Sequence, residues 1–162
     1  DAAFYLQVNE FRGNRSVQLQ MVDIRPSLSC SGREEEALRL VERCLAGENL
    51  PHREAVRLLP PREQCVRAWR ALQRTVPPEG VQEYDLPFVR ALAAEMGGTE
   101  PFARAALCLE VFRELGLVSL RRSDDALRLV MTDRGKKVSL EQSVYLRMLQ
   151  DILEMSKRGG MR

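Results

Sequence analysis

Residues 85–117 read DLPFVRALAAEMGGTEPFARAALCLEVFRELGL. Apolar positions recur at helical spacing from Leu86 to Met96, and Gly97-Gly98 then supplies a tight turn. Thr99 stands where a cap is expected, with Pro101 in the first turn of a second helix that runs to Leu115. Gly116 stops that helix. Beyond it, Leu117 to Arg121 and Ala126 to Met131 read as two short strands joined by Ser123-Asp124-Asp125.

Helix, glycine turn, helix and β-hairpin, in that order, is the pattern of a winged helix-turn-helix, here spanning residues 85–138. The second helix is a poor reader of duplex DNA. Thr99 to Leu115 carries Arg104 and Arg113 against Glu100, Glu110 and Glu114, a net charge of −1, and it is apolar nearly all round. Such a helix belongs in a core, and winged-helix topology alone does not make a DNA reader.

Upstream, Ser31 and Glu34 have the spacing of a capping box, followed by apolar residues at helical period from Ala37 to Leu45 and a stop at Gly47. A short helix is expected over Arg53 to Leu59, ended by Pro60-Pro61. Another covers Glu63 to Thr75, with Cys65, Val66, Trp69, Leu72 and Val76 on one stripe and Trp69 as a core anchor. Ser139 with Gln142 offers a second capping box, for a last helix through about Met155.

At the other end, Phe4 to Ile24 alternates with period two around Gly13-Asn14, which predicts a β-hairpin turning at that pair. Val8 is then expected opposite Leu19, Leu6 opposite Met21 and Phe4 opposite Asp23 on an apolar face. Asn9 opposite Gln18, Gln7 opposite Gln20 and Tyr5 opposite Val22 make the polar face, with Phe11, Arg12 and Arg15 near the tip. A lone hairpin buries too little to offset its ordering entropy. Because the chain opens on Asp1, the expectation is a hairpin (residues 1–25) that ends a sheet begun upstream, a linker (26–32), and a helical domain (33–162). The fold class is α+β, mainly α.

The chain has 162 residues, 44% hydrophobic and 30% charged, with 25 basic against 23 acidic side chains, so the net charge of +2 points to no partner by itself. No apolar run approaches the ~20 residues that span a bilayer. Cys30, Cys44, Cys65 and Cys108 form no C-x-x-C pair, so zinc or a redox dithiol is not indicated, and a cytoplasmic location is expected. His52, read as an exposed loop residue beside Pro51, is the sole histidine, which removes the commonest metal sites and His-assisted nucleophiles. Catalysis by this chain is not expected.

The run Asn9-Glu10-Phe11-Arg12-Gly13, followed by Gln18-Leu19-Gln20 and Val22-Asp23-Ile24, resembles the end of the OB-fold domain of the RecJ family, bacterial 5′-to-3′ single-stranded DNA exonucleases. Val111-Phe112-Arg113-Glu114-Leu115-Gly116-Leu117-Val118, together with Leu140-Glu141, Ser143 and Tyr145, resembles the C-terminal domain that follows it in some members. The resemblance implies an accessory region, involved in DNA repair and recombination, of a nuclease whose catalytic part holds Mn²⁺ or Mg²⁺. An Asp-His-His motif is impossible here with one histidine, so no catalytic or metal role transfers, and the chain itself is expected to hold no cofactor.

OB-folds stack bases on aromatic rings while cations follow the phosphates. The residues in position for this are Tyr5, Asn9, Phe11, Arg12, Arg15 and Gln18. A second candidate lies in the stretch from Arg121 to Arg162, net +4: Arg121, Arg122 and Arg128 on the wing, with Arg134, Lys136 and Lys137 after it. This basic set suits phosphates or an acidic peptide, such as the acidic tail of single-stranded DNA-binding protein that the resemblance implies as a partner. The other partners expected are single-stranded DNA and the remainder of the nuclease, with no membrane. The competing reading is a stand-alone winged-helix interaction or regulatory module whose hairpin dimerises by edge pairing. An upstream reading frame encoding the remaining OB strands and the nuclease motif distinguishes the two.

Overall fold

The computed structural model describes residues 2–11, 13–24, 30–76, 82–123, 126–132 and 138–159. The chain divides into two compact units, Asp1–Cys30 and Ser31–Arg162. The coarse class is α+β and mainly helical.

The first unit is a two-stranded antiparallel sheet, β1 (Ala2–Phe11) and β2 (Asn14–Ile24). The expected register is wrong by two residues. Val8 pairs with Val17 rather than Leu19, Leu6 with Leu19, Phe4 with Met21, and Phe11 with Asn14, so Asn14 is a paired strand residue rather than part of the turn, and Gly13 has φ 82°. The expected register sets Arg12 opposite Arg15, whereas the observed one sets Glu10 opposite Arg15. A shift of two preserves side-chain parity, so positions 4–11 and 14–21 keep the faces that the alternation predicts, whereas Asp23, expected opposite Phe4, pairs with Ala3. Near the open end the register changes between Ala3 and Phe4, leaving Val22 as the extra residue of a bulge.

The second unit begins at α1 (Gly32–Leu45), where the expected capping box is present: Glu34 N–H donates to Ser31 Oγ at 3.3 Å and Ser31 N–H to Glu34 Oε2 at 2.8 Å. α2 (His52–Leu58) and α3 (Arg62–Thr75) follow, each entered through a proline. His52 is therefore not a loop residue but the exposed first residue of α2. On α3 the buried seam is Gln64, Cys65, Ala68, Ala71 and Leu72, while Val66 of the expected stripe is exposed. Trp69 packs edge-on against Phe112 with ring centroids 5.5 Å apart.

Next come β3 (Gln82–Glu83), α4 (Leu86–Met96) and α5 (Pro101–Glu114). The Asp85 side chain caps α4 by accepting from Phe88 N–H at 2.8 Å. Gly97 and Gly98 both have positive φ, and a Cβ on Gly98 would lie 2.5 Å from Gln64 Nε2. Thr99 is not the cap of α5. That position belongs to Glu100, left-handed at φ 51° with no side-chain capping bond, while Thr99 Oγ instead accepts from Arg104.

α5 is the centre of the unit, packing against α1, α2, α3, α4 and β4 (Val118–Ser123). From Ala103 to Leu109 every residue is buried, as its composition demands. β4 pairs with β5 (Ala126–Met131), and β3, which periodicity did not reveal, joins the other edge of β5 in the order β3-β5-β4. The last helix, α6 (Val144–Gly159), starts later than expected. Ser139 caps only the 3₁₀ turn Leu140–Gln142, and α6 is held at its start by Glu114 of α5, which accepts from Val144 N–H at 2.7 Å and from Ser143 Oγ. Among the described residues no helix is long and apolar enough to cross a membrane.

The Glu34 carboxylate also takes a forked pair from Arg90 of α4, at 2.6 and 2.8 Å, and this guanidinium, helped by the Ser31 amide, holds its pKa at about 2 against an ordinary value of 4.5. A depressed carboxylate contributes stability that is full above the unfolded value and is lost as pH falls through the folded one. Replacing Glu34 by Gln is thus expected to lower stability at pH 7, with the difference from wild type shrinking between pH 4.5 and 2. Urea titrations across that range check it.

Candidate nucleic-acid interface

Alternation divides the hairpin into two rows of cross-strand pairs. One row pairs Tyr5 with Gln20, Gln7 with Gln18, Asn9 with Ser16 and Phe11 with Asn14. Tyr5, Gln7, Ser16, Gln18 and Gln20 are exposed, with Tyr5 51% open to solvent. Amide and hydroxyl groups thus flank one aromatic ring on a pleated strip. That chemistry suits a base stacked on the ring and hydrogen bonds to sugar or base edges.

Of the expected DNA-binding set, the register therefore brings positions 5, 9, 11 and 18 into one row. It does not bring Arg15 there: Arg15 lies in the opposite row, paired with Glu10 beside Val8 and Val17. Arg12 lies outside the described residues. The apolar row is itself exposed, with Leu6, Val8, Val17, Leu19 and Met21 each between 61% and 67% open.

On the wing, Arg121 stands directly opposite Arg128, and Arg128 is flanked on its other side by Glu83 of β3. Arg122 pairs with Leu127 in the other row, toward the outer end of the core-facing side that holds Val118, Leu129 and Met131. The expected patch is thus split between two faces, and Arg134, Lys136 and Lys137 lie outside the described residues.

Six arginines of the helical unit, Arg43, Arg57, Arg67, Arg74, Arg90 and Arg113, are committed to carboxylates. Arg57 donates to Glu36 at 2.7 Å and to Glu100 at 3.1 Å, Arg43 to Glu48 and Glu54, and Arg74 to Glu95. A groove of about 410 Å³ is lined by Arg33, Glu36, Arg57, Glu100 and Phe102, with Arg57 paired to both of these carboxylates. Among the described residues Arg121, Arg122 and Arg128 make no ion pair, a property they share with the exposed Arg33, Arg39, Arg53, Arg62, Arg70 and Arg147 of the helices.

The residue that periodicity missed is Arg104, only 8% exposed on α5. Its Nε and Nη2 donate to the backbone carbonyls of Arg57 and Val56 at 3.1 and 3.0 Å, and its Nη1 to Gln64 Oε1 at 3.2 Å. Burial disfavours its charge and lowers its pKa. An arginine amid Ala103, Ala105 and Ala106 on an otherwise apolar helix was the available signal.

Among the described residues no three His, Cys, Asp or Glu side chains are grouped to hold a metal ion. Family models, curated proteins and solved structures give no match to this chain.

Arg121 facing Arg128 costs stability through like-charge repulsion. Arg121→Glu is expected to raise unfolding free energy by roughly 0.2–1 kcal/mol. Thermal unfolding at low and high salt checks this, with the gain shrinking as salt rises.

Proposed function

We propose that this chain is the non-catalytic C-terminal region of a RecJ-like 5′-to-3′ single-stranded DNA exonuclease, contributing contacts to single-stranded DNA and to an acidic protein partner. The observation that supports this reading is the two-sided hairpin, on the same residues that carry the resemblance. Its Tyr5–Gln18 row offers an aromatic platform with polar neighbours, and its apolar row offers one layer of a larger sheet, as an OB-fold requires. In this reading bases stack on Tyr5 and Phe11, Asn9 and Gln18 bond sugar or base edges, and Arg12 and Arg15 at the tip meet phosphates. Arg15 reaches the strand around the tip, because its own row is the apolar one.

The helical unit then serves as an interaction module of winged-helix type, with the unpaired wing arginines as the surface for phosphates or an acidic peptide. The Mn²⁺ or Mg²⁺ chemistry belongs to the nuclease domain of the parent protein.

A second reading has one observation of its own. A two-stranded sheet leaves backbone edges on both strands, and with an exposed apolar row this favours a stand-alone module that dimerises through the hairpin.

Binding of an oligo-dT probe by the full-length exonuclease, followed by anisotropy across a salt series, tests the proposal. Tyr5→Ala is expected to weaken binding by roughly 1–3 kcal/mol with little change in salt dependence, since stacking releases no ions. Arg12→Ala and Arg15→Ala are each expected to flatten the slope of log K against log[salt] by about 0.7. Unchanged affinity and slope in all three variants overturns the DNA-contact role of the hairpin. A dimer of the chain that dissociates on Leu19→Lys supports the second reading instead.

A further inference from the structure

Two of the four cysteines, neither used by the reading above, face each other inside the helical unit. Cys65 on α3 and Cys108 on α5 have their Sγ atoms 3.8 Å apart, and the Cys108 thiol donates to Cys65 Sγ. They sit one step from the polar contact between the same two helices: Cys65 follows Gln64, and Cys108 is one turn beyond Arg104. A disulfide requires S–S near 2.0 Å. At 3.8 Å the two sulfurs are already in van der Waals contact, so the gap left to close is short.

We propose that Cys65 and Cys108 are a peroxide-oxidisable thiol pair whose closure to a disulfide ties α3 to α5. The two sulfurs are not equivalent. Cys108 is completely buried, whereas Cys65 is 3% exposed and receives the hydrogen bond. That bond lowers the pKa of Cys65, while donating it and burial raise that of Cys108, so the thiolate forms first on Cys65.

The chemistry balances with hydrogen peroxide as the oxidant. The Cys65 thiolate attacks one peroxide oxygen, the O–O bond breaks, and the departing hydroxide takes a proton to leave as water, giving a sulfenic acid on Cys65. The Cys108 sulfur then attacks the Cys65 sulfur, the S–O bond breaks, and the hydroxyl leaves with the Cys108 proton as a second water. Two thiols lose two electrons and two protons, and one peroxide is reduced to two waters. The neighbour at 3.8 Å makes the second step intramolecular, ahead of further oxidation to sulfinic acid.

Cys44 differs in kind: it is buried with no sulfur neighbour among the described residues, and burial alone pushes its pKa up to about 11. It is expected to stay a thiol.

The test is to expose the folded, reduced chain to hydrogen peroxide, alkylate remaining thiols under denaturing conditions, and map the products by peptide mass spectrometry. The expected result is a Cys65–Cys108 cross-linked peptide two mass units below the sum of its parts, a raised thermal midpoint, and reversal of both by dithiothreitol. Cys30→Ser/Cys44→Ser, which leaves the pair intact, is expected to behave as wild type. Recovery of Cys65 and Cys108 as alkylated thiols, a sulfinic acid on Cys65 without cross-link, or a disulfide to Cys30 or Cys44 overturns the proposal.

Discussion

One buried guanidinium organises the helical unit. A charge with no carboxylate bonded to it is tolerable in a core only when its donors are met, and Arg104 meets them with oxygens from three places: the last turn of α2, Gln64 of α3, and Thr99 in the α4–α5 turn. Gln64 passes the constraint on by donating to Gly97 O at 2.6 Å, and Arg67 donates to Met96 O beside it. The carbonyls that α2 and α4 leave open at their C-terminal ends are thereby satisfied by side chains of α3 and α5. Two oddities of the turn follow from the same demand. Gly98 must be glycine because Gln64 occupies the space of its Cβ, and Glu100 takes a left-handed conformation where its carboxylate pairs with Arg57.

The hairpin obeys different physics. Its ladder is long for two strands, yet five apolar side chains of one row stay more than half exposed. Two strands without a covering layer are marginal in water. Its sequence is therefore tuned for pairing and for surfaces on both faces rather than for self-contained stability.

Much of this was legible in the chain because local signals were decisive. Asp85, the Gly97-Gly98 turn, the Ser31–Glu34 box and Gly116 each specify a boundary by short-range geometry. Hairpin faces over positions 4–11 and 14–21 were legible because parity survives a slip of two, whereas the register was not: Gly13-Asn14 reads as the turn dipeptide in isolation, yet Asn14 is a strand residue paired with Phe11. The start of α6 depends on Glu114, some thirty residues away, so the local Ser139 signal misled. At the candidate interface the row shared by Tyr5 and Gln18 was foreseeable from alternation, but the division of the wing arginines needed the β4–β5 register. Arg104 entered the sequence reading only as one charge of a core helix, because composition does not tell a bonded guanidinium from a hydrated one.

The most direct measurement is urea unfolding, followed by helix signal, of Arg104→Met and Arg104→Lys beside wild type. Methionine fills the space but leaves Val56 O, Arg57 O and Gln64 Oε1 without their donor, and an ammonium cannot reproduce the planar fork. Both variants are predicted to lose on the order of 3 kcal/mol. A midpoint and slope indistinguishable from wild type in Arg104→Met would contradict the claim that this side chain holds the unit together.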